Sequence, residues 1–292
     1  MNETLPFQND PVDSNKLYYS DGRDQNYVGP LLEKALIELL FNGNYELAHG
    51  DGTMNVLNSF TNSYFEEFYG PGLIDLGYNV KDVIIHGKKS NSLMVITFKT
   101  TVSEYNILDC HVYSLIDLTE DGVKLYNPHG KHLMIPTNIF VENFHRLHIC
   151  YIDNEIFNFP KLKTSVEFTD SWKEITDDAQ FSDVDYEFVV DEDDTEILIN
   201  MFTNSYDEIF KSIRIYRVNE MNTLEPASII YTVRSFRILL GRGKYKLTFK
   251  QRVASYNISS RHQKYSEYLE NDKNDFLFRF VASKRCAVKK SD

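Results

Sequence analysis

From about residue 80 onward the apolar residues fall in short β-type runs punctuated by turn residues, and this ties most of the chain to antiparallel sheet. Asp82 to His86 and Leu93 to Phe98 read as two such runs across the turn-like Gly87-Lys88-Lys89-Ser90. Ile107 to Leu118 and Val123 to Tyr126 form a second pair across Thr119-Glu120-Asp121-Gly122, which predicts a hairpin. A one-sided helix is predicted from Thr137, carrying Phe140, Val141 and Phe144, with Ile149 to Ile152 as a closing strand. An aromatic content of 14%, mostly 20 Phe and 19 Tyr, suits sheet better than a helical bundle.

Asn158-Phe159-Pro160 marks a domain boundary. Beyond it helical periodicity fades and short runs recur at Glu196 to Met201, Ser212 to Val218, Ser228 to Val233, Lys244 to Phe249 and Phe276 to Val281. Runs of this length between turns predict an antiparallel β-sandwich. At the other end, residues 1–28 are polar and rich in turn formers, with at most one short strand around Lys16 to Tyr19. The clearest helix starts at Pro30, where Leu31, Leu32, Ala35, Leu36, Leu39 and Leu40 make one stripe that Asn42-Gly43 ends. A weaker helix starts at Thr53.

The organisation expected is therefore a junction segment over 1–28, a β-rich domain with a few helices over 29–157, and a sandwich over 158–292. A length of 292 residues accommodates two domains, and 42% hydrophobic with 25% charged residues excludes collagen, a disordered tail and a disulfide scaffold. The net charge of −12 argues against general nucleic-acid binding. It divides unevenly, with +10 on residues 230–292 and −22 on the remainder. Cys110, Cys150 and Cys286 resemble neither a bridge framework nor a zinc site, and reduced thiols in the cytosol are the simplest reading. The first residues lack the basic start and apolar run of a signal peptide, and no run approaches membrane-spanning length. A soluble cytoplasmic protein with no transmembrane segment is expected.

Chemistry concentrates in Asp109-Cys110-His111-Val112-Tyr113-Ser114-Leu115 and, 16 residues after the histidine, Asn127-Pro128-His129-Gly130. Strand neighbours point to opposite faces, so His111 and Tyr113 share one face and Cys110 the other. That removes Cys110 as a nucleophile activated by His111. His111 and Asn127 are the better pair, because the hairpin returns one strand end beside the other. A strict two-residue Asp121-Gly122 turn would set Asn127 opposite Ile116, roughly 16 Å from His111 along a strand. Contact therefore requires a wider loop or a bulge, and a bulge is expected. In contact, the Asn127 amide would fix the imidazole tautomer and leave the other nitrogen to serve a thiol. A packed core histidine and an ordinary Asn-Pro turn fit the same residues.

In order along the chain, further elements resemble the calpain family of papain-like cysteine proteases. Pro30-Leu31-Leu32-Glu33-Lys34-Ala35 looks like the family's Leu-Leu-Glu-Lys-Ala helix, Asn44-Tyr45-Glu46 its Ser-Tyr-Glu, and Ser59-Phe60-Thr61 its Asp-Phe-Thr. Cys110 to Ser114 is similar to His-Ala-Tyr-Ser, and Leu125 to Gly130 to Arg-Asn-Pro-Trp-Gly. Gly243-Lys244-Tyr245 and Phe276 to Phe280 resemble the last strands of the calpain sandwich. The resemblance spans about residues 17–285. It implies an α+β fold, with a papain-like protease subdomain followed by a C2-like antiparallel β-sandwich. It also implies that His111 is the catalytic base and Asn127 its orienter in an intracellular endopeptidase that cleaves protein substrates at limited sites.

Two departures matter. The family's nucleophilic cysteine and oxyanion-hole glutamine belong to a subdomain that would precede Pro30, and the 29 residues before Pro30 hold no cysteine. All three cysteines present read as structural, so this chain alone is expected to be inactive, with the thiol supplied by a missing N-terminal subdomain. His129 also replaces the tryptophan that keeps the family's His–Asn bond dry. The alternative is a catalytically inactive calpain-like scaffold that binds partners through its sandwich. Asn- and Tyr-rich composition looks more like the fungal alkaline-response calpains of the PalB type, which would bring endosomal sorting proteins in as partners.

Calcium is the family's usual regulator, and 11 acids in residues 174–196 make Ca2+ a candidate ligand. A solvated acidic loop is the simpler reading. The basic residues Arg234, Arg237, Arg242, Lys244, Lys246, Lys250 and Arg252 suit anionic lipid or, more simply, that acidic segment. His145 and His148, three apart near Cys150, read as surface histidines of a helix rather than a metal pair.

Overall fold

The computed structural model describes residues 31, 34–35, 57, 61–70, 77–109, 111–127, 131–159, 164–171, 181–203, 210–231, 235–252 and 275–291. Met1–Gly52 forms one compact unit, in which the three described residues Leu31, Lys34 and Ala35 are helical. The expected N-terminal loop and the rest of that helix lie outside the described residues. Thr53–Asp292 is the second unit and holds all the described sheet.

Its first part is a six-stranded sheet of β1 (Tyr64–Tyr69), β2 (Leu93–Phe98), β3 (Val112–Leu118), β4 (Val123–Asn127), β5 (Lys131–Ile135) and β6 (Phe144–Tyr151). The spatial order is β1-β6-β2-β3-β4-β5, and every pairing is antiparallel. One face carries Met94, Ile96, Phe98, Tyr113, Leu115, Val123, Leu125, Leu147 and Ile149 into a core that α1 (Val80–Lys89) and α2 (Thr137–Asn143) complete. At about 1.5–3 kcal/mol for each large side chain buried, this face is the main source of the sheet's stability.

The α1 helix corrects the strand expected over Asp82 to His86. Asn79 accepts from the Lys81 N–H at 2.9 Å and caps the helix, and Val80, Val83, Ile84 and Gly87 are buried at helical spacing. Val83 and Ile84 are adjacent apolar residues, which a short window reads equally well as strand. The helix from Thr137 forms, but it ends at Asn143, and Phe144 opens β6. His145 and His148 therefore lie on a strand, where a spacing of three puts them on opposite faces. That corrects their expected helical setting and separates them as ligands.

The second part has β7 (Thr164–Ser171), β8 (Phe181–Val190), β9 (Thr195–Thr203), β10 (Phe210–Val218), β11 (Leu224–Tyr231), β12 (Ser235–Leu240), β13 (Gly243–Arg252), β14 (Asp275–Ala282) and β15 (Cys286–Lys290). They form two antiparallel sheets, β11-β10-β13-β8-β15 and β12-β9-β14-β7. Tyr186, Phe188, Ile213, Leu247 and Phe249 of one meet Ile197, Ile199, Phe236, Phe276, Phe278 and Phe280 of the other in a single core. This is a β-sandwich. No helix among the described residues is long and apolar enough to cross a membrane.

The acidic stretch is not a loop throughout. Residues 181–190 are β8, which lies between β13 and β15, both rich in lysine. Asp185 meets Lys246 at 2.8 Å and Glu187 meets Lys289 at 3.0 Å. Alternation explains the misreading: Val184, Tyr186, Phe188 and Val190 point into the core while the acids between them face out.

The sandwich is joined to the six-stranded sheet by apolar and ionic contacts. Leu198 and Val281 leave the sandwich's own core and pack into that of the first sheet. Arg237 of β12 donates from Nε and Nη2 to the two carboxylate oxygens of Glu66 on β1, at 2.5 and 2.7 Å. Its Nη1 reaches Glu196 at 2.5 Å, and the Phe159 ring lies 4.7 Å from its guanidinium carbon. Tyr151 adds an O–H bond to Glu66 at 2.8 Å. Burial alone lowers a guanidinium's pKa, but the Glu66 charge outweighs it and raises that of Arg237. Arg237→Ala would strand the Glu66 carboxylate where its side chain is 2% exposed, and is expected to cost about 3–5 kcal/mol by chemical denaturation. Arg237→Ala with Glu66→Gln should recover part of that loss. A loss below about 1 kcal/mol for Arg237→Ala would show that this junction is not carried by the ion pair.

Candidate active site

The β3–β4 hairpin decides where His111 and Asn127 meet. Its turn is a two-residue one centred on Glu120-Asp121, one residue earlier than Asp121-Gly122: Leu118 pairs with Val123, and Thr119 and Gly122 exchange backbone hydrogen bonds at 2.8 and 3.3 Å. Gly122 has φ +145°, and a Cβ there would stand 2.2 Å from the Ile135 carbonyl oxygen, so only glycine fits. Asp117 pairs with Lys124, but Leu115 pairs with Leu125, leaving Ile116 as a one-residue bulge.

That bulge selects the face. Without it, the register set at Leu118 would bring Asn127 opposite Ser114, on the face away from His111. With it, Ser114 pairs with Tyr126, and the next step brings Asn127 abreast of Tyr113, on the face of His111. The two residues become diagonal neighbours within side-chain reach. His111 Nε2 donates to Asn127 Oδ1 at 3.1 Å, and both residues are half-buried.

The chain leading into His111 is pinned on both sides. The Leu108 N–H donates to the Tyr113 hydroxyl at 2.8 Å, and Thr101 Oγ1 donates to Asp109 at 2.9 Å. Tyr113, fully buried, meets the imidazole edge to face with centroids 4.8 Å apart. The bond from Nε2 makes Nδ1 the ring nitrogen that can act as base. Long-range 1H–15N spectra should show His111 as the Nε2–H tautomer in the neutral form. Asn127→Ala should remove that preference; an unchanged tautomer would disconnect Asn127 from the imidazole.

The described cysteines are placed elsewhere. Cys150 lies at the level of Leu93 on β2, whereas His111 lies in register with Phe98, five residues or roughly 16 Å along the strand. Burial raises the Cys150 thiol pKa, with Thr61 Oγ1 3.1 Å from its sulfur. Cys286 belongs to the sandwich core, where burial, then Asp191, pushes its thiol up to about 12. Both environments disfavour thiolate. Cys110, Pro128, His129 and Gly130 lie outside the described residues.

Among the described residues no three His, Cys, Asp or Glu side chains gather as a metal site. The carboxylates of Asp185, Glu187 and Glu196 face lysine or arginine instead. An open cleft of about 460 Å³ lies between the start of α1 and α2, lined by Tyr78, Lys81, Val141 and Phe144 among others. Neither His111 nor Asn127 lines it.

His148, missed as a buried residue by the helical reading, is 5% exposed. Burial, then the Arg146 and His145 charges, lowers its pKa to about 4. Glu67 stands 3.4 Å from its Nδ1, but that nitrogen has no hydrogen-bond partner among the described residues and Arg146 shares the carboxylate at 3.6 Å. Burial therefore dominates. The unfolded chain takes up this proton below about pH 6.5 and the folded chain only below about 4, so stability falls as pH drops through that window. The depression corresponds to about 3 kcal/mol. Denaturation at stepped pH should show this loss in the wild type and its reduction in His148→Gln; parallel pH profiles would refute it.

No protein-family model matches the chain, and comparison with curated proteins gives no match. Among solved structures, the crystal structure of a protein from Sulfurospirillum deleyianum aligns with 42% of this chain and 99% of its own length, at 11% identity and a TM-score of 0.26.

Proposed function

We propose that this chain supplies the histidine base and asparagine orienter of a calpain-like cysteine endopeptidase, with a papain-like subdomain followed by a C2-like sandwich. The observation that carries the reading is the 3.1 Å bond from His111 Nε2 to Asn127 Oδ1 across a bulged hairpin. Supporting it, a β-rich part bearing both residues precedes a β-sandwich, the order the family resemblance implies.

The chemistry is that of a thiol–imidazole pair. A thiol from outside the described residues gives its proton to His111 Nδ1 as sulfur attacks the scissile carbonyl carbon. The imidazolium then protonates the departing amine, leaving a thioester. In the second half His111 takes a proton from water as its oxygen attacks the thioester carbon, and returns one to the leaving sulfur. Asn127 holds the ring through both halves.

The competing reading is an inactive binding protein that uses its sandwich. The remote Cys150 and the buried Cys286 favour it, since neither serves His111.

Both readings meet in one experiment on the protein purified by a C-terminal tag from the cells that make it. Hydrolysis of denatured casein should be thiol-dependent and blocked by an epoxysuccinyl inhibitor. His111→Ala should lower it by about 10²–10⁴-fold with unchanged thermal stability, and Asn127→Ala by less. Full activity in His111→Ala would exclude His111 as the base. No hydrolysis and no inhibitor labelling of the folded wild type would favour the binding reading.

A further inference from the structure

We propose that the open cleft between α1 and α2 binds a small alkyl carboxylate, a molecule with an apolar tail of about eight carbons and one anionic head. The proposal concerns a ligand site away from His111 and does not depend on catalysis. The cleft's volume of about 460 Å³ lies inside the roughly 300–1,000 Å³ range of small-molecule sites. Its apolar lining is Tyr78 and Val80 at the start of α1, Val141 on α2, and Phe144 where α2 passes into β6.

That lining is formed before any ligand arrives. The Phe144 ring stacks on fully buried Phe140 with centroids 5.6 Å apart, and the Tyr78 ring meets Phe157 edge to face at 5.1 Å. Both rings are thus held from behind. Val141 stays 40% exposed, an aliphatic side chain that an apolar tail would cover. Gly70, just after β1, leaves the wall bare, since a Cβ there would come 3.1 Å from the Phe144 carbonyl oxygen.

Charge selects the head. Lys81 lines the cleft, and the Lys99 amine stands 3.7 Å from the place a Gly70 Cβ would take. Lys99 donates to the Glu142 carbonyl at 3.4 Å, but neither ammonium meets a carboxylate among the described residues. Glu142 is the one acid in the lining, so two cations face one anion and a further negative charge balances them. Burial, then the Arg146 and Lys99 charges, lowers the pKa of neighbouring His145, as a positive field at this end of the sheet does. A peptide suits the cleft less well than an alkyl chain. The helices α1 and α2 keep their backbone groups in their own hydrogen bonds, so a peptide's amides would find no strand edge to pair with.

Titration of the full chain with octanoate at low ionic strength, followed by the methyl resonances of Val80 and Val141, tests the site. Both should shift saturably with a Kd at or below about 1 mM. Acetate, which keeps the head and lacks the tail, should not saturate them, and octanamide should bind about threefold or more weakly than octanoate. The double variant Lys81→Gln with Lys99→Gln should weaken octanoate by about threefold or more and leave octanamide unchanged. Both lysines are exposed, and the fold should survive their loss. No saturable shift by about 10 mM octanoate would overturn the proposal. So would equal binding of octanoate and octanamide, an unaltered octanoate affinity in the lysine variant, or tighter binding of acetyl-leucyl-leucine, which would mark a peptide site.

Discussion

Alternation in a β-strand allows no half measures: a shift of one residue moves every side chain beyond it to the other face. The His111–Asn127 contact hangs on that rule. Gly122 sets the hairpin turn because the Ile135 carbonyl leaves no room for a Cβ, and the bulge at Ile116 then moves Asn127 from the Ser114 register to that of Tyr113. Neither feature touches the imidazole. Both are needed for the amide to reach it, and residues as remote from the bond as Gly122 and Ile116 are therefore part of its construction.

Charge has a smaller role than the sequence totals suggest. The acidic and basic segments are adjacent strands of one sheet, joined by the Asp185–Lys246 and Glu187–Lys289 pairs. Pairs this exposed contribute about 0–1 kcal/mol each. The consequential ions are few and hidden. Arg237 stands between Glu66 and Glu196 with side-chain exposure of 2%, and the cost of stranding its partners exceeds what several surface pairs contribute. Arg237 is also a member of the basic patch read from the sequence, where it looks like its solvent-facing neighbours. Its partner 171 residues away is what sets it apart.

Local pattern made the strands of the hairpin, the sandwich runs and the helix at Thr137 legible, because each needs only its own alternation or stripe. It also exposed the need for a bulge, since a strict hairpin could not join His111 to Asn127. What it missed depends on residues far apart. Val83-Ile84 is compatible with strand until the Asn79 cap and the sheet beneath select helix. His145 and His148 look like one helical face until β6 pairs with both β1 and β2. The strand within the acidic stretch shows as Val184, Tyr186, Phe188 and Val190 once charge is set aside, and a count of carboxylates hides that alternation. Glu66, Asn200 and Arg279 carry no local signal at all, because a polar residue in a strand reads as an outward-facing one.

These buried polar side chains explain why the two β-rich parts fold as one compact unit. Their junction is anchored on β1, and β1 belongs to the same hydrogen-bonded ladder as the dyad. Asn200 holds β1, β6 pairs β1 with β2, and β2 pairs with the strand that follows His111. The path crosses the most buried part of the sheet, where Leu147, Ile149 and Ile96 are wholly inaccessible. Close packing there resists small displacements and transmits large ones as a shift of the whole sheet. The sandwich thus holds one edge of the sheet while the bulged hairpin sets the local geometry of His111 and Asn127.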